Sequence, residues 1–341
     1  MVQQMNNLYI ITLEKIEQRY TKQWYYYWNE AFGKYFNVHY IDGPKLSDKI
    51  DKGRFLDINK TNLWKAEQVK KLSKLFMNNK IVNGDSFLFM DAWHYGITAL
   101  KYMIDLQKFK CKIYGYWHAG SYDPADFVAQ AGLGKWCNYN ELGWLNALDK
   151  SFVATKFHKE LLTTNLRAPS NKIKVIGFPM DWEKEISSKI KSKNNKENIV
   201  VFPHRLDKEK NPQVFDKISK QHKQYKFIKT LLVTKTKRDY YTLLQKSKVV
   251  FSASTQETFG IGTVEALFLN NVPVVPNKLS YKELYNKEFR YDTIKEASEK
   301  VKYFIDNYDT PKVQKLIKDN KAKIQTLCLS SISNMAKVML K

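Results

Sequence analysis

The chain has 341 residues, 43% hydrophobic and 14% aromatic, which suits two globular domains and excludes a disordered polypeptide. Its 57 Lys and Arg oppose 34 Asp and Glu, a formal charge of +23 that favours a polyanionic partner, either nucleic acid or an anionic membrane surface; solvated lysine faces are the alternative source of the surplus. No apolar run is long enough to span a bilayer, Met1–Asn7 lacks the charged-then-apolar pattern of a signal peptide, and a cytoplasmic location is expected. Cys111, Cys137 and Cys328 have neither paired spacing nor a histidine cluster nearby, which argues against a disulfide framework or a zinc site.

In chain order, the apolar runs Leu8–Thr12, Val38–Ile41, Phe87–Met90, Ile113–Trp117, Phe152–Ala154 and Ile173–Ile176 read as buried strands. Helix-period segments fall between most of them: Tyr20–Phe36, Leu63–Phe76 behind a capping Asn62, Tyr95–Leu106 and Phe157–Thr164. Such alternation predicts a parallel sheet built from βαβ units. The polar stretch Lys184–Asn198 reads as a domain boundary. Alternation restarts with Ile199–Phe202, a helix near Pro212–His222, Phe227–Val233, a helix near Asp239–Lys246, Val249–Phe251, a helix from Thr263 and Val272–Val275. Thr293–Tyr308 and Lys312–Met339 read as helical to the end. The expected architecture is α/β with two Rossmann-like domains, 1–181 with a crossing segment 320–341, and 182–319.

The segment Glu257-Thr-Phe-Gly-Ile-Gly-Thr-Val-Glu265 sits at a predicted strand-to-helix turn. A carboxylate before such a turn can bind sugar hydroxyls, while the amides of Phe259, Gly260, Ile261, Gly262 and Thr263 would face a diphosphate at the helix N-terminus. Glu265, about one helical turn further in, would reach ribose hydroxyls. Pro203-His-Arg-Leu-Asp-Lys-Glu-Lys210 follows the first strand of the second domain, so Arg205 and Lys210 are placed where a departing diphosphate would be met.

These motifs, with Trp117-His118-Ala-Gly120 and Lys172–Asp181 in the same order, resemble the family-4 group of retaining glycosyltransferases over about residues 110–290. That resemblance implies the GT-B fold: two domains facing a cleft, a C-terminal helix crossing back to the first, and a nucleotide-sugar donor, here expected to be a UDP-sugar, used without a metal. It further implies that His118 orients the sugar, Arg205 and Lys210 stabilise the diphosphate, Glu257 holds donor-sugar hydroxyls, and no dedicated base is needed for front-face transfer. Phe202–Lys208, Ser254–Gly260 and Pro273–Glu283 are similar to enzymes that mannosylate queuosine in transfer RNA. The opening Leu8–Trp24, with Phe89–His94 and His118–Pro124, resembles phage glycosyltransferases that modify hydroxymethylated pyrimidines in DNA.

The expected activity is therefore retaining transfer of a sugar to a modified pyrimidine in duplex DNA. Queuosine tRNA, a membrane-associated glycan or lipid, and an inert nucleic-acid-binding protein are the alternatives. Asp91, Trp93, His94 and Tyr122 are the acceptor-side candidates, with Trp93 suited to stacking on a flipped base. Lys65–Lys80 and Lys184–Lys196 are candidate DNA-facing basic segments, Trp24–Trp28 is a candidate membrane-facing cluster, and Asp123 is read as the cap of the helix after Pro124.

Overall fold

The computed structural model describes residues 5–17, 19–45, 57–190 and 195–341. They group into two units: the chain up to Met180 together with Ser330–Lys341, and Asp181–Leu329.

The first unit runs β1 (Asn7–Ile11), α1 (Tyr20–Phe32), β2 (Asn37–Ile41), α2 (Ile58–Met77), β3 (Ser86–Phe89), α3 (Gly96–Leu106), β4 (Lys112–Tyr116), α4 (Phe127–Gln130), α5 (Gly134–Ala147), β5 (Lys150–Val153), α6 (Lys156–Asn165) and β6 (Ile173–Val175). Its strands pair in the order β2-β1-β3-β4-β5-β6, all parallel. Leu8, Ile10, Phe87 and Phe89 are at most 1% exposed, as expected where helices cover both faces of a parallel sheet. Strand order reverses between β1 and β3, which opens a ligand crevice beyond their carboxyl ends.

Trp24 and Trp28, one helical turn apart on α1, stack at 4.6 Å and are fully buried. Burying each such ring contributes on the order of 2–3 kcal/mol. The tryptophans of the expected membrane cluster are therefore core, and only Tyr26 of that segment is exposed.

The second unit runs α7 (Trp182–Lys189), β7 (Glu197–Phe202), α8 (Pro212–Gln221), β8 (Lys226–Lys229), α9 (Thr230–Val233), α10 (Lys237–Lys246), β9 (Ser247–Phe251), α11 (Ile261–Phe268), β10 (Val272–Pro276), α12 (Tyr281–Leu284), β11 (Arg290–Tyr291), α13 (Ile294–Asp306) and α14 (Pro311–Leu329). The sheet order is β11-β10-β9-β7-β8, again parallel, and its reversal falls between β7 and β9. The last helix, α15 (Ser331–Met339), packs on α1 and belongs to the first unit.

Several local expectations are corrected. Asp57 caps α2 by accepting from Lys60 N at 3.1 Å, so that helix starts before Asn62. Asp126 caps α4, while Asp123 closes a turn onto Ala125 N at 3.0 Å. Strand β8 stops at Lys229, because Thr230–Val233 coil into a single helical turn. The supposed linker contains α7, anchored by the fully buried Trp182, and its residues 191–194 lie outside the described set. The terminal helix breaks at Ser330, so residues 320–329 stay with the second unit.

Candidate functional site

In the second unit the loops leaving β7 and β9 meet at the switch point of the sheet. Thr255 N donates to Glu209 O at 2.8 Å, and Asn211 Nδ2 donates to Ala253 O at 3.0 Å, which holds the two loops together. Lys210 is thereby buried with its Nζ 2.9 Å from Glu257 Oε1 and 2.7 Å from Gln256 O. Burial pushes the Glu257 carboxyl up, but Lys210, with His204 and Arg205 adding to it, brings the group below its ordinary value. His204 Nδ1 lies 3.6 Å from the same carboxylate oxygen, and burial lowers the imidazole to about 4, so the ring is neutral at pH 7. Arg205 is less buried and forms ion pairs with Asp207 and, at 3.2 Å, with Glu209.

Thus Lys210 and Glu257, expected at the diphosphate and the sugar respectively, are one ion pair, while Arg205 beside them pairs with Asp207 and Glu209. The arrangement offers a buried cation and a partly exposed acceptor-only group side by side, suited to a ligand carrying both negative charge and hydroxyls.

Helix α11 begins beside this pair. Gly260 precedes it at φ +81°, and a Cβ there would lie 2.9 Å from Tyr281, so the turn requires glycine. Ile261 and Gly262 form the first turn, and Phe259 is buried beneath it. Thr263 points inward: its hydroxyl donates to Gly260 O at 2.8 Å and accepts from Tyr285 at 2.9 Å. Glu265 is also turned into the unit. Its Oε1 accepts from Lys237 Nζ and, at 3.0 Å, from the Tyr241 hydroxyl. The side chains of Thr263 and Glu265 consequently brace α11 against its neighbours.

In the first unit, burial lowers the His118 pKa and leaves a neutral ring. That ring donates from Nε2 to Met90 O at 2.9 Å and accepts from Tyr20 at Nδ1 across 3.1 Å. Asp91 lies at the carboxyl end of β3 and accepts from Trp93 N at 3.0 Å. Trp93 is tied down by Nε1 donating to Glu141 Oε1 at 2.9 Å and by an edge contact with Trp144. His94 accepts from Gly96 N at 2.8 Å, and its other nitrogen meets Gln68 Oε1 at 3.1 Å, which makes it a loop brace rather than an open recognition group. Tyr122 is likewise 2% exposed, with its hydroxyl 2.7 Å from His158 Nε2. Asp91 therefore stands alone among these four in having no ring to bury.

Sequence reasoning missed the residues that hold these loops. Gln68 Nε2 donates to both Thr12 O and Ile41 O, joining the ends of β1 and β2, while its carbonyl meets His94 of the β3 loop. Lys65 is buried with its Nζ 2.5 Å from Trp93 O. Glu141, fully buried, accepts from Ser121 N at 2.7 Å and stands where a Cβ on Gly120 would intrude to 2.6 Å. A lone Glu in the aromatic sequence of α5 was the available signal. Lys196 was expected on a basic surface segment, yet its Nζ donates to Ser247 O at 2.6 Å and Leu269 O at 2.7 Å. Among the described residues no group of three or more His, Cys, Asp or Glu could hold a metal ion.

No protein-family model matches the chain. A tRNA-queuosine alpha-mannosyltransferase from Drosophila melanogaster is 35% identical over 68 residues, 20% of this chain, and the chain spans only 18% of that protein's length. Sucrose-phosphate synthase from Thermosynechococcus elongatus matches with a TM-score of 0.65 at 12% identity, covering 98% of this chain and 97% of that one. An alpha,alpha-trehalose-phosphate synthase (UDP-forming) from Burkholderia vietnamiensis gives 0.65 at 9% identity, covering 99% of each. Anabaena HepE in complex with UDP-glucose gives 0.62 at 11% identity, covering 98% of each. The chain shares with these structures the GT-B fold of two parallel-sheet α/β domains.

Proposed function

We propose that the protein is a retaining glycosyltransferase that transfers a sugar from a nucleotide sugar, a UDP-sugar in the first instance, to a hydroxymethylated pyrimidine in DNA. The observation that carries this reading is the Lys210–Glu257 pair at the β7/β9 switch point, beside the N-terminus of α11. There Lys210, Arg205 and the amides of Ile261 and Gly262 meet the diphosphate, and Glu257 takes sugar hydroxyls. The leaving phosphate oxygen then accepts the proton of the attacking hydroxyl, so that neither a metal nor a side-chain base is needed. The UDP-glucose complex of HepE, a protein of the same fold, supports the donor class.

For the acceptor, the +23 charge and the resemblance of the first-domain motifs support nucleic acid, and Asp91 is the group proposed to hold the acceptor hydroxyl. The short match to the tRNA-queuosine enzyme favours queuosine tRNA as the second reading. The test is nucleoside mass spectrometry after incubation with a nucleotide-sugar panel, hydroxymethylated duplex DNA and queuosine tRNA. A sugar mass gained on a DNA pyrimidine supports the first reading, and a gain on queuosine supports the second. Donor hydrolysis with no nucleoside gain would overturn both acceptors.

A further inference from the structure

We infer that the N-terminal half of α5 is a stacking platform for unpaired nucleic acid, with Trp136 and Tyr139 as its rings. The inference rests on the proposed nucleic-acid acceptor and adds where that acceptor is gripped.

Helix α5 has two unlike halves. Its later residues Glu141, Trp144 and Leu145 are buried, whereas Leu133, Lys135, Trp136, Asn138, Tyr139 and Asn140 around its start are exposed. Trp136 is 53% and Tyr139 81% exposed, and their spacing of three residues puts both on one helix face. Aromatic area of this size is normally buried, so its presentation to solvent on an ordered helix marks a contact surface.

The platform is continuous with the candidate acceptor loops. A crossover helix between parallel strands runs back along the sheet, so the start of α5 lies at the carboxyl end of β4 and β5. Ser121 Oγ donates to Asn138 Oδ1 at 2.6 Å, and Glu141 accepts from both Ser121 and Trp93. One helix thus grips the loops after β3 and β4 with its inner face and displays the two rings from its outer face.

The chemistry selects the occupant. Trp and Tyr faces stack on any base, while Lys135 and the overall charge of +23 complement phosphate. Asn140, four residues on from Trp136 and so on the same face, offers an amide to base edges and makes that face a poor fit to lipid acyl chains. Trp93, expected from sequence to stack on a flipped base, is pinned by Glu141 and Trp144, whereas Trp136 and Tyr139 are the exposed rings of α5.

The test measures binding of a fluorescein-labelled single-stranded DNA 12-mer by anisotropy, for wild type, Trp136→Ala, Tyr139→Ala and the conservative Trp136→Phe. Donor hydrolysis is followed in parallel. Each alanine variant should bind at least tenfold more weakly, Trp136→Phe should stay within about threefold of wild type, and hydrolysis should be unchanged. Unchanged oligonucleotide affinity in both alanine variants overturns the inference. So does selective loss of binding to phosphatidylglycerol vesicles, or a fall in sedimentation coefficient showing that the rings joined two copies of the chain. Because the anisotropy readout needs no sugar transfer, a failed glycosyltransferase assignment with ring-dependent DNA binding would leave the platform standing.

Discussion

In the proposed function the pair of Lys210 and Glu257 is where side-chain chemistry meets the donor. Each charge is sheltered from water and answered by the other, so removing one strands its partner. Glu257→Gln keeps the shape while removing the charge; it should lower sugar transfer at least tenfold, about 1.4 kcal/mol, in steady-state assays. Lys210→Met should do the same, while also lowering the melting temperature because Glu257 is left unpaired. His204 gives a pH signature. Its native pKa of about 4 lies below the ordinary 6.5, so between those values the unfolded chain binds a proton that the native state refuses. Stability therefore falls as pH drops through that window, by about 1.5 kcal/mol between pH 6.5 and 5 from this residue. Denaturant titrations of wild type and His204→Phe at both pH values measure it, and a pH dependence unchanged by the substitution would refute the assignment. The two carboxylates stood out in the sequence because they flank a glycine pair after an apolar run, and the basic pair because it directly follows one. Their partners were not: which cation meets which carboxylate depends on loop contacts such as Thr255 to Glu209, which no spacing rule encodes.

At the scale of elements, α11 is positioned by one backbone requirement. Gly260→Ala should cost about 1–3 kcal/mol, because alanine is strained at φ +81° and its methyl would meet Tyr281. Calorimetry should show the lowered transition, and donor affinity should weaken with it. In the first unit α15 covers α1, and Trp28→Ala should destabilise by about 3–5 kcal/mol, seen as a large drop in denaturation midpoint. Most strands were legible because parallel strands buried on both faces are written as short apolar runs. Helix α7 was hidden because its outer face carries lysines and serines and only Trp182 and Ile186 are buried. The turn at Thr230–Val233 was hidden because Leu231, Leu232 and Val233 look like strand residues although all three are exposed. Two of the acceptor-side residues were hard to read for a related reason. His94 and Tyr122 read as recognition groups, but their polar atoms are consumed in bracing loops through Gln68 and His158, and pairing across 26 and 36 residues is invisible in sequence.

The whole molecule repeats one plan twice: a parallel sheet whose order reverses next to its first strand, with polar loops gathered at that point. In the second unit those loops carry the ion pair proposed for the donor, and in the first they carry Asp91 and His118 on a brace of Glu141, Gln68 and Lys65. The positive charge is spread over both units, so an electrostatic share of nucleic-acid binding should fall steeply with salt, and affinity measured from low to physiological ionic strength should show a log–log slope well below zero. The central claim is that the Lys210–Glu257 site activates a nucleotide sugar. It is tested most directly by following nucleotide release from UDP-sugars in the presence of hydroxymethylated DNA, for wild type and Glu257→Gln at matched folded concentration. The account predicts release by wild type that is at least tenfold slower in the variant; equal rates in the two proteins, or no release from any nucleotide sugar by wild type, would contradict it.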